Sequence, residues 1–199
     1  MVSGFALWFT GLPGSGKSAV SRAVCAALEA AGYGVAYLSM DERRRVYAPV
    51  PSYTPEERER SYELFVHEAE RLAERGVGVI MDATGHRLAW RRRARERIKR
   101  FAELHLACDL ATAMAREAAR PQGGVMAGLY AKAIERRQSG REFPGLGEVI
   151  GVDTPFETDP GAECVIDAAH LNVEEARDAA LSFLAGWLGD ETLQPGQSA

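Results

Sequence analysis

Gly11-Leu-Pro-Gly-Ser-Gly-Lys17-Ser18 fits G-x-x-x-x-G-K-[ST] at every position, and its flanks decide the fold. The apolar run Phe5-Ala-Leu-Trp-Phe9 precedes it and reads as a buried strand. An Ala-rich segment from Lys17 to Ala31 follows and reads as a helix. Strand, glycine turn and helix in that order form a phosphate-binding loop. Its glycines let the backbone wrap a phosphate so that successive N–H groups point at it. The helix N-terminus adds roughly half a positive charge. In such a loop Gly11, Leu12, Pro13, Gly14, Ser15, Gly16, Lys17, Ser18 and Ala19 surround the phosphates of a nucleotide. Lys17 reaches the β- and γ-phosphates, and the Ser18 hydroxyl is the expected Mg²⁺ ligand.

The chain has 199 residues, enough for one α/β domain with a full core. With 46% hydrophobic and 26% charged residues it has ordinary globular usage. A net charge of −4 argues against a nucleic-acid surface. The basic run from Arg87 to Arg100 is interrupted by Glu96 and reads as the solvated face of a helix. Cys25, Cys108 and Cys164 are far apart and read as small buried thiols of a reducing compartment. The histidines show no metal-ligand spacing. No signal peptide and no run of ~20 apolar residues is visible, so a cytoplasmic protein without a membrane partner is expected.

Apolar runs recur between helical segments at Phe5–Thr10, Val35–Ser39, Val77–Met81, Glu103–Ala107 and Cys164–Ile166. That alternation predicts an α/β fold. Its sheet would have five mainly parallel strands, with about seven helices on both faces. Thr54, Pro55 and Glu57 start a helix running to Arg75, where Gly76 stops it. Another helix is expected over Val173–Leu188. Residues 1–188 then form a single kinase-like domain, and 189–199 a fraying tail. Residues 116–160 hold no strand, a short helix at Leu129–Arg137, and many Gly, Pro and Arg residues. Loops of that length are usually functional or disordered, and here the segment reads as a mobile lid over the nucleotide.

A phosphate-binding loop names a nucleotide but no reaction. The guanine-reading N-K-x-D of GTPases and the L-S-G-G-Q of transport ATPases are absent, and a ring ATPase would need more chain. A small-molecule kinase needs the loop, an acid after the second strand and an Arg-rich lid. Asp41 is that acid, placed at the carboxyl end of the sheet to deprotonate an acceptor hydroxyl. The competing role for Asp41 is a helix N-cap. Arg44 could hold an anionic acceptor bidentately. Asp82 ends the third strand and offers a second carboxylate for a Mg²⁺-bound water or the acceptor, or else simply forms a turn. His86, in the same loop, reads as solvated or as an acceptor contact.

Three separate stretches make the chain resemble the adenylylsulfate kinase family. They are Leu7-Trp-Phe-Thr-Gly-Leu-Pro-Gly-Ser-Gly-Lys-Ser18, Gly128-Leu-Tyr-Ala-Lys-Ala133 and Gly151-Val-Asp-Thr-Pro-Phe-Glu157. The last is similar to that family's G-[IV]-D-x-P-[YF]-E. The resemblance implies a P-loop kinase fold and transfer of the γ-phosphate of Mg·ATP to a hydroxyl of a small, often nucleotide-like acceptor. The family's usual acceptor is adenylylsulfate. The resemblance also puts Arg116 over the adenine or phosphates, and Arg58 and Lys132 on the acceptor side. A homodimer is left open.

The departures from the family fall on the acceptor side. Its D-G-D-x-x-R becomes Ser39-Met-Asp-Glu-Arg-Arg44, and its D-R-x-x-N-I-R-R becomes Glu57-Arg-Glu-Arg-Ser-Tyr-Glu-Leu64, with Ser61 and Leu64 replacing an Asn and an Arg. The F-I-S-P-like segment becomes Met81-Asp-Ala-Thr-Gly-His86, the lysine of K-G-L-Y becomes Ala127, and residues around Pro121–Val125 read as an insertion. The ATP side is kept and the acceptor side rewritten. The competing expectations are adenylylsulfate, another nucleotide or small alcohol as acceptor, or a nucleotide-binding regulator without catalysis.

Overall fold

The structure is a computed structural model that describes residues 4–50, 52, 54–119 and 128–196. Strand β1, Phe5–Thr10, is buried along its whole length and lies at the centre of the sheet. Side chains alternate across a strand. Phe5, Leu7 and Phe9 therefore enter one core, while Ala6 and Trp8 enter the other. Four more strands complete the sheet: β2 Val35–Ser39, β3 Gly78–Asp82, β4 Phe101–Ala107 and β5 Cys164–Asp167. All pairings are parallel, in the order β2-β3-β1-β4-β5. Parallel strands need long crossovers, and helices supply them on both faces.

Helices α1, Lys17–Ala30, and α7, Val173–Leu188, cover one face; α3, Pro55–Glu74, and α4, Leu88–Arg97, cover the other. Thr54 Oγ1 accepts the Glu57 N–H at 3.2 Å and starts α3. The Glu57 carboxylate accepts from the Ser52 backbone N–H and, at 2.8 Å, from its hydroxyl. Asn172 starts α7 with a complete capping box to Glu175. The short α2, Met40–Tyr47, follows β2 directly.

Helices α5, Leu110–Ala118, and α6, Leu129–Ser139, lie near the carboxyl ends of the strands. Leu129, Tyr130, Ala133 and Val149 form a third apolar cluster there, with Leu110 and Met114 packed against it. The expected insertion at Pro121–Val125 and the Ala127 replacement lie outside the described residues.

Three expectations need correction. The stretch after Gly189 does not fray at once: a 3-10 turn spans Glu191–Leu193, Leu193 is buried in the α1–α7 core, and Asp190 accepts a 2.7 Å hydrogen bond from Tyr33. The basic run is not a solvated face. Arg91 is fully buried, and Arg93, Arg95 and Arg97 pair with Glu59, Glu163 and Glu70. Of the three thiols only Cys25 is buried outright; Cys108 and Cys164 are half-buried, and all are unpaired.

Candidate active site

The parallel register sets the site. Asp82 lies beside Phe9 of β1 and Ser39 of β2, so the carboxyl ends of three strands meet at one level. The phosphate loop leaves β1 there, α2 leaves β2 there, and the loop 83–87 leaves β3 there. Lys17, Ser18, Asp41, Arg44, Arg58 and Asp82 consequently line a single cleft of about 850 Å³, the open space at its mouth included.

The phosphate side has a cradle that a side chain would fill. A Cβ at Gly14 would collide with the Ala113 carbonyl of α5, whereas one at Gly16 would meet only open space. Gly16, at φ 95°, caps α1 without a side-chain hydrogen bond. Ser15 Oγ is buried without a hydrogen-bond partner. Lys17 Nζ donates to the Leu12 carbonyl at 3.2 Å. Leu12 and Pro13 are half-buried, while Ser18 and Ala19 are exposed at the start of α1. A helix start capped by a glycine, an orphaned hydroxyl and a cation together fit a phosphate chain. The Ser18 hydroxyl is open to a hard cation.

The wall beside the phosphate loop is built from α2, α3 and the loop after β3. Ser39, not Asp41, stands at the N-cap of α2, so Asp41 lies within the first turn, where its charge complements the helix dipole. Asp41 is exposed to the cleft. Asp82 is only 6% exposed and forms no turn. Its carboxylate accepts from the Tyr37 hydroxyl at 2.9 Å, and that hydroxyl also lies 2.8 Å from Ser21 Oγ of α1. Asp82 is thereby tied to the helix that carries Ser18. Burial, followed by the Asp82 charge, pushes the Tyr37 phenol well above its ordinary range, so it stays a donor.

Arg58 donates through Nη2 to the Glu148 carbonyl at 3.1 Å, and its Nη1 lies 3.6 Å from the Glu148 carboxylate. Arg44 Nε and Arg58 Nη1 are both buried without a hydrogen-bond acceptor. Tyr62 stacks on Trp90 at 3.9 Å and on Trp8 at 6.0 Å, and its hydroxyl accepts the Gly85 N–H at 3.0 Å. This holds the loop 83–87 against α3. His86 is not solvated: it is 2% exposed and meets Trp90 edge-on at 4.8 Å. Burial, then the charges of Arg58, Arg87 and Arg91, push its imidazole down to about 3, which leaves it neutral.

Some candidates lie elsewhere. Lys132 is exposed on α6 and is not among the residues lining the cleft. Arg116 belongs to α5, and its guanidinium donates to the Ala168 and Ala169 carbonyls after β5. It pins that loop and does not line the cleft. Leu64 borders a different groove, with Tyr47, His67 and Arg71. The replacement at that position therefore does not reshape the cleft wall. Ser61 lies on the buried face of α3 and is likewise not a lining residue.

Sequence reasoning missed the frame that holds these parts. Arg91 Nε donates to the buried Glu103 carboxylate at 3.0 Å, and its two terminal nitrogens donate to the Gly85 and Glu157 carbonyls. Glu103 also accepts from Thr10, the last residue of β1, at 2.8 Å. Glu157 accepts the first N–H of α4, from Leu88, at 2.6 Å and donates its own N–H to the His86 carbonyl at 2.9 Å. Phe156 stacks on His105 at 5.1 Å, and Asp153 holds Arg136 at 2.6 Å. The Gly151–Glu157 motif is thus a strut between the loop after β3 and α6. A lone Glu inside an apolar strand was the available signal for the buried ion pair.

Among the described residues no helix is long and apolar enough to cross a membrane. Comparison with known proteins agrees with the geometry. The family model for adenylylsulphate kinase matches residues 3–167. A probable adenylyl-sulfate kinase of Archaeoglobus fulgidus is 33% identical over 163 residues, covering 82% of this chain and 95% of the relative. An adenylyl-sulfate kinase of Myxococcus xanthus is 34% identical over 178 residues, covering 87% of this chain and 86% of the relative. The fold superposes on the Mycobacterium tuberculosis APS kinase, solved in complex with AMPPNP and APS. The TM-score is 0.75 at 23% identity, with 92% of this chain and 99% of that one covered. The phosphate loop, the parallel sheet and these relatives together show that the chain belongs to the adenylylsulfate kinase family of ATP-dependent phosphotransferases with a hydroxyl acceptor.

Proposed function

We propose that the protein transfers the γ-phosphate of Mg·ATP to a hydroxyl of a small anionic acceptor, with adenylylsulfate the first named compound to assay. The observation that supports this reading is convergence: Lys17, Ser18, Asp41, Arg44, Arg58 and Asp82 come from four elements, α1, α2, α3 and β3, and line one cleft. Bound Mg·ATP supplies the phosphoryl group and neutralises its charge. Lys17 and the N–H groups of the loop hold the β- and γ-phosphates, and the Ser18 hydroxyl would ligate Mg²⁺. Asp82, steered by Tyr37, orients a water on the metal side of the cleft. Asp41 takes the proton from the acceptor hydroxyl, and Arg44 and Arg58 fix the acceptor's charge. Arg116 acts at one remove, by holding the loop after β5. A cytoplasmic setting is supported by three unpaired cysteines.

The test pairs calorimetric ATP binding with coupled ADP release. ATP should bind only with Mg²⁺, and an acceptor should accelerate ADP release. Asp41→Asn should lower kcat by roughly 10²–10⁴ while ATP affinity is nearly kept. If Asp82→Asn is crippling and Asp41→Asn mild, the roles of the two carboxylates are the reverse of those given.

A further inference from the structure

The acceptor's class can be narrowed from the cleft wall; this step rests on the kinase reading above. Arg44 Nε and Arg58 Nη1, from neighbouring helices, are buried donors without an acceptor. Their charges oppose each other, and the acid facing Arg58, Glu148, has its side chain 48% exposed. Two cations kept close together with unmet N–H groups suit an anion delivered by a ligand. Planar bases are usually held by open aromatic faces. Both faces of Tyr62 are taken, by Trp8 and Trp90, and His86 is spent edge-on against Trp90. The remaining apolar wall comes from aliphatic side chains such as Leu129, Leu146 and Ile150. Among the described lining residues no aromatic face is open to a base.

We infer that the acceptor is a compact hydroxylated anion without a nucleobase, its carboxylate or phosphate held by Arg44 and Arg58 and its hydroxyl presented to Asp41. In the step, the acceptor oxygen forms the bond to the γ-phosphorus. The bond from that phosphorus to the β–γ bridging oxygen breaks, ADP leaves with the electron pair, and the hydroxyl proton passes to the Asp41 carboxylate.

The experiment is coupled ADP release by the wild-type chain over matched acceptors. They are glycerate against glycerol, gluconate against glucose, glycerol 3-phosphate, and adenylylsulfate. The carboxylate and phosphate arms tell the two anionic groups apart. The best base-free anion should exceed both its neutral counterpart and adenylylsulfate at least tenfold in kcat/KM. Arg44→Gln and Arg58→Gln should each raise the KM for that anion at least tenfold. Calorimetric ATP affinity should stay within about threefold. Adenylylsulfate matching or exceeding every base-free anion would overturn the inference and leave the kinase reading standing. A neutral polyol as good as its acid would overturn it as well. If ATP binds and no compound of any class accelerates ADP release, the kinase reading falls and the inference with it. The acid-against-alcohol comparison needs no variant, so a substitution that fails to fold does not shield the idea.

Discussion

Arg91→Met should be among the most damaging single substitutions away from the phosphate loop. The guanidinium is fully buried, pairs with a fully buried Glu103 at 3.0 Å, and also donates to the Gly85 and Glu157 carbonyls. Methionine roughly keeps the volume and removes every one of those bonds. Breaking one side of a buried ion pair costs about 3–5 kcal/mol, because the surviving charge is left uncompensated. In a chain of this size each kcal/mol moves Tm by roughly 2–4 °C, so a fall of roughly 6–20 °C is expected. The loss has a pH signature. Burial already pushes the Glu103 carboxyl up, and Arg91 is the largest influence holding it down. Without Arg91 its folded-state value rises further above the unfolded one. A group shifted that way stabilises below the unfolded pKa and loses the contribution as pH rises. The variant should therefore lose more at pH 8 than at pH 5. Urea unfolding at both pH values measures this, with Arg91→Met/Glu103→Met as the closing corner of a double-mutant cycle. A loss under about 1 kcal/mol, or a double variant as unstable as the two single changes summed, would refute the argument.

Lys17→Ala should cut turnover by roughly 10²–10³, as for the loss of one preorganised transition-state donor; steady-state ADP release checks it, and turnover within about threefold of wild type would contradict the role. His86 and His105 lie at about 3 and about 4 in the folded chain, both below the ordinary 6.5, because burial and neighbouring cations disfavour their charged forms. Their contribution is therefore whole above pH 6.5 and is lost as pH falls: unfolding takes up to two protons, or up to ~2.7 kcal/mol per pH unit. Urea unfolding between pH 6 and pH 4.5 should show this slope, and His86→Asn should reduce it by about half; an unchanged slope would remove His86 from the account. Residues 116–160 should gain amide protection when a non-hydrolysable ATP analogue binds, read by hydrogen exchange, whereas protection unchanged throughout would end the lid reading.

The strands were legible because they are short apolar runs bounded by helical segments. β1 and β2 fall where the sequence puts them, and β3 lies one residue later. β4 begins at Phe101, two residues before the expected start. The phosphate-loop geometry was legible for a different reason: it is carried by backbone at fixed spacing, so eight consecutive residues describe it. The facing wall of the cleft is assembled from α2, α3 and the loop after β3, and no local pattern says which way a helical side chain turns. Leu64 and Arg58 are close in sequence on α3, yet only Arg58 reaches the cleft. Arg91 was hidden for a related reason. In sequence it is one arginine of a basic run, and what makes it a structural centre is Glu103, on a strand that reads as apolar. Long-range pairing of that kind depends on topology, which a periodic pattern does not encode.

The third apolar cluster carries a consequence for how this enzyme family can change. Leu129, Tyr130, Ala133 and Val149 pack on one another, apart from the two cores that clasp the sheet, and the Tyr130 hydroxyl fastens them to the phosphate loop through the Pro13 carbonyl at 2.8 Å. A piece with its own apolar centre can change its side chains without disturbing strand pairing. Its length is more constrained, because the Gly151–Glu157 strut that follows Val149 is tied to Leu88, Arg91 and His86. Leu129, Val149 and Ile150, which this piece contributes, also wall the cleft. Changes in their size would therefore alter the shape of one wall, while Tyr130 keeps the piece registered against the phosphate loop, so the cleft can vary in shape around a fixed anchor.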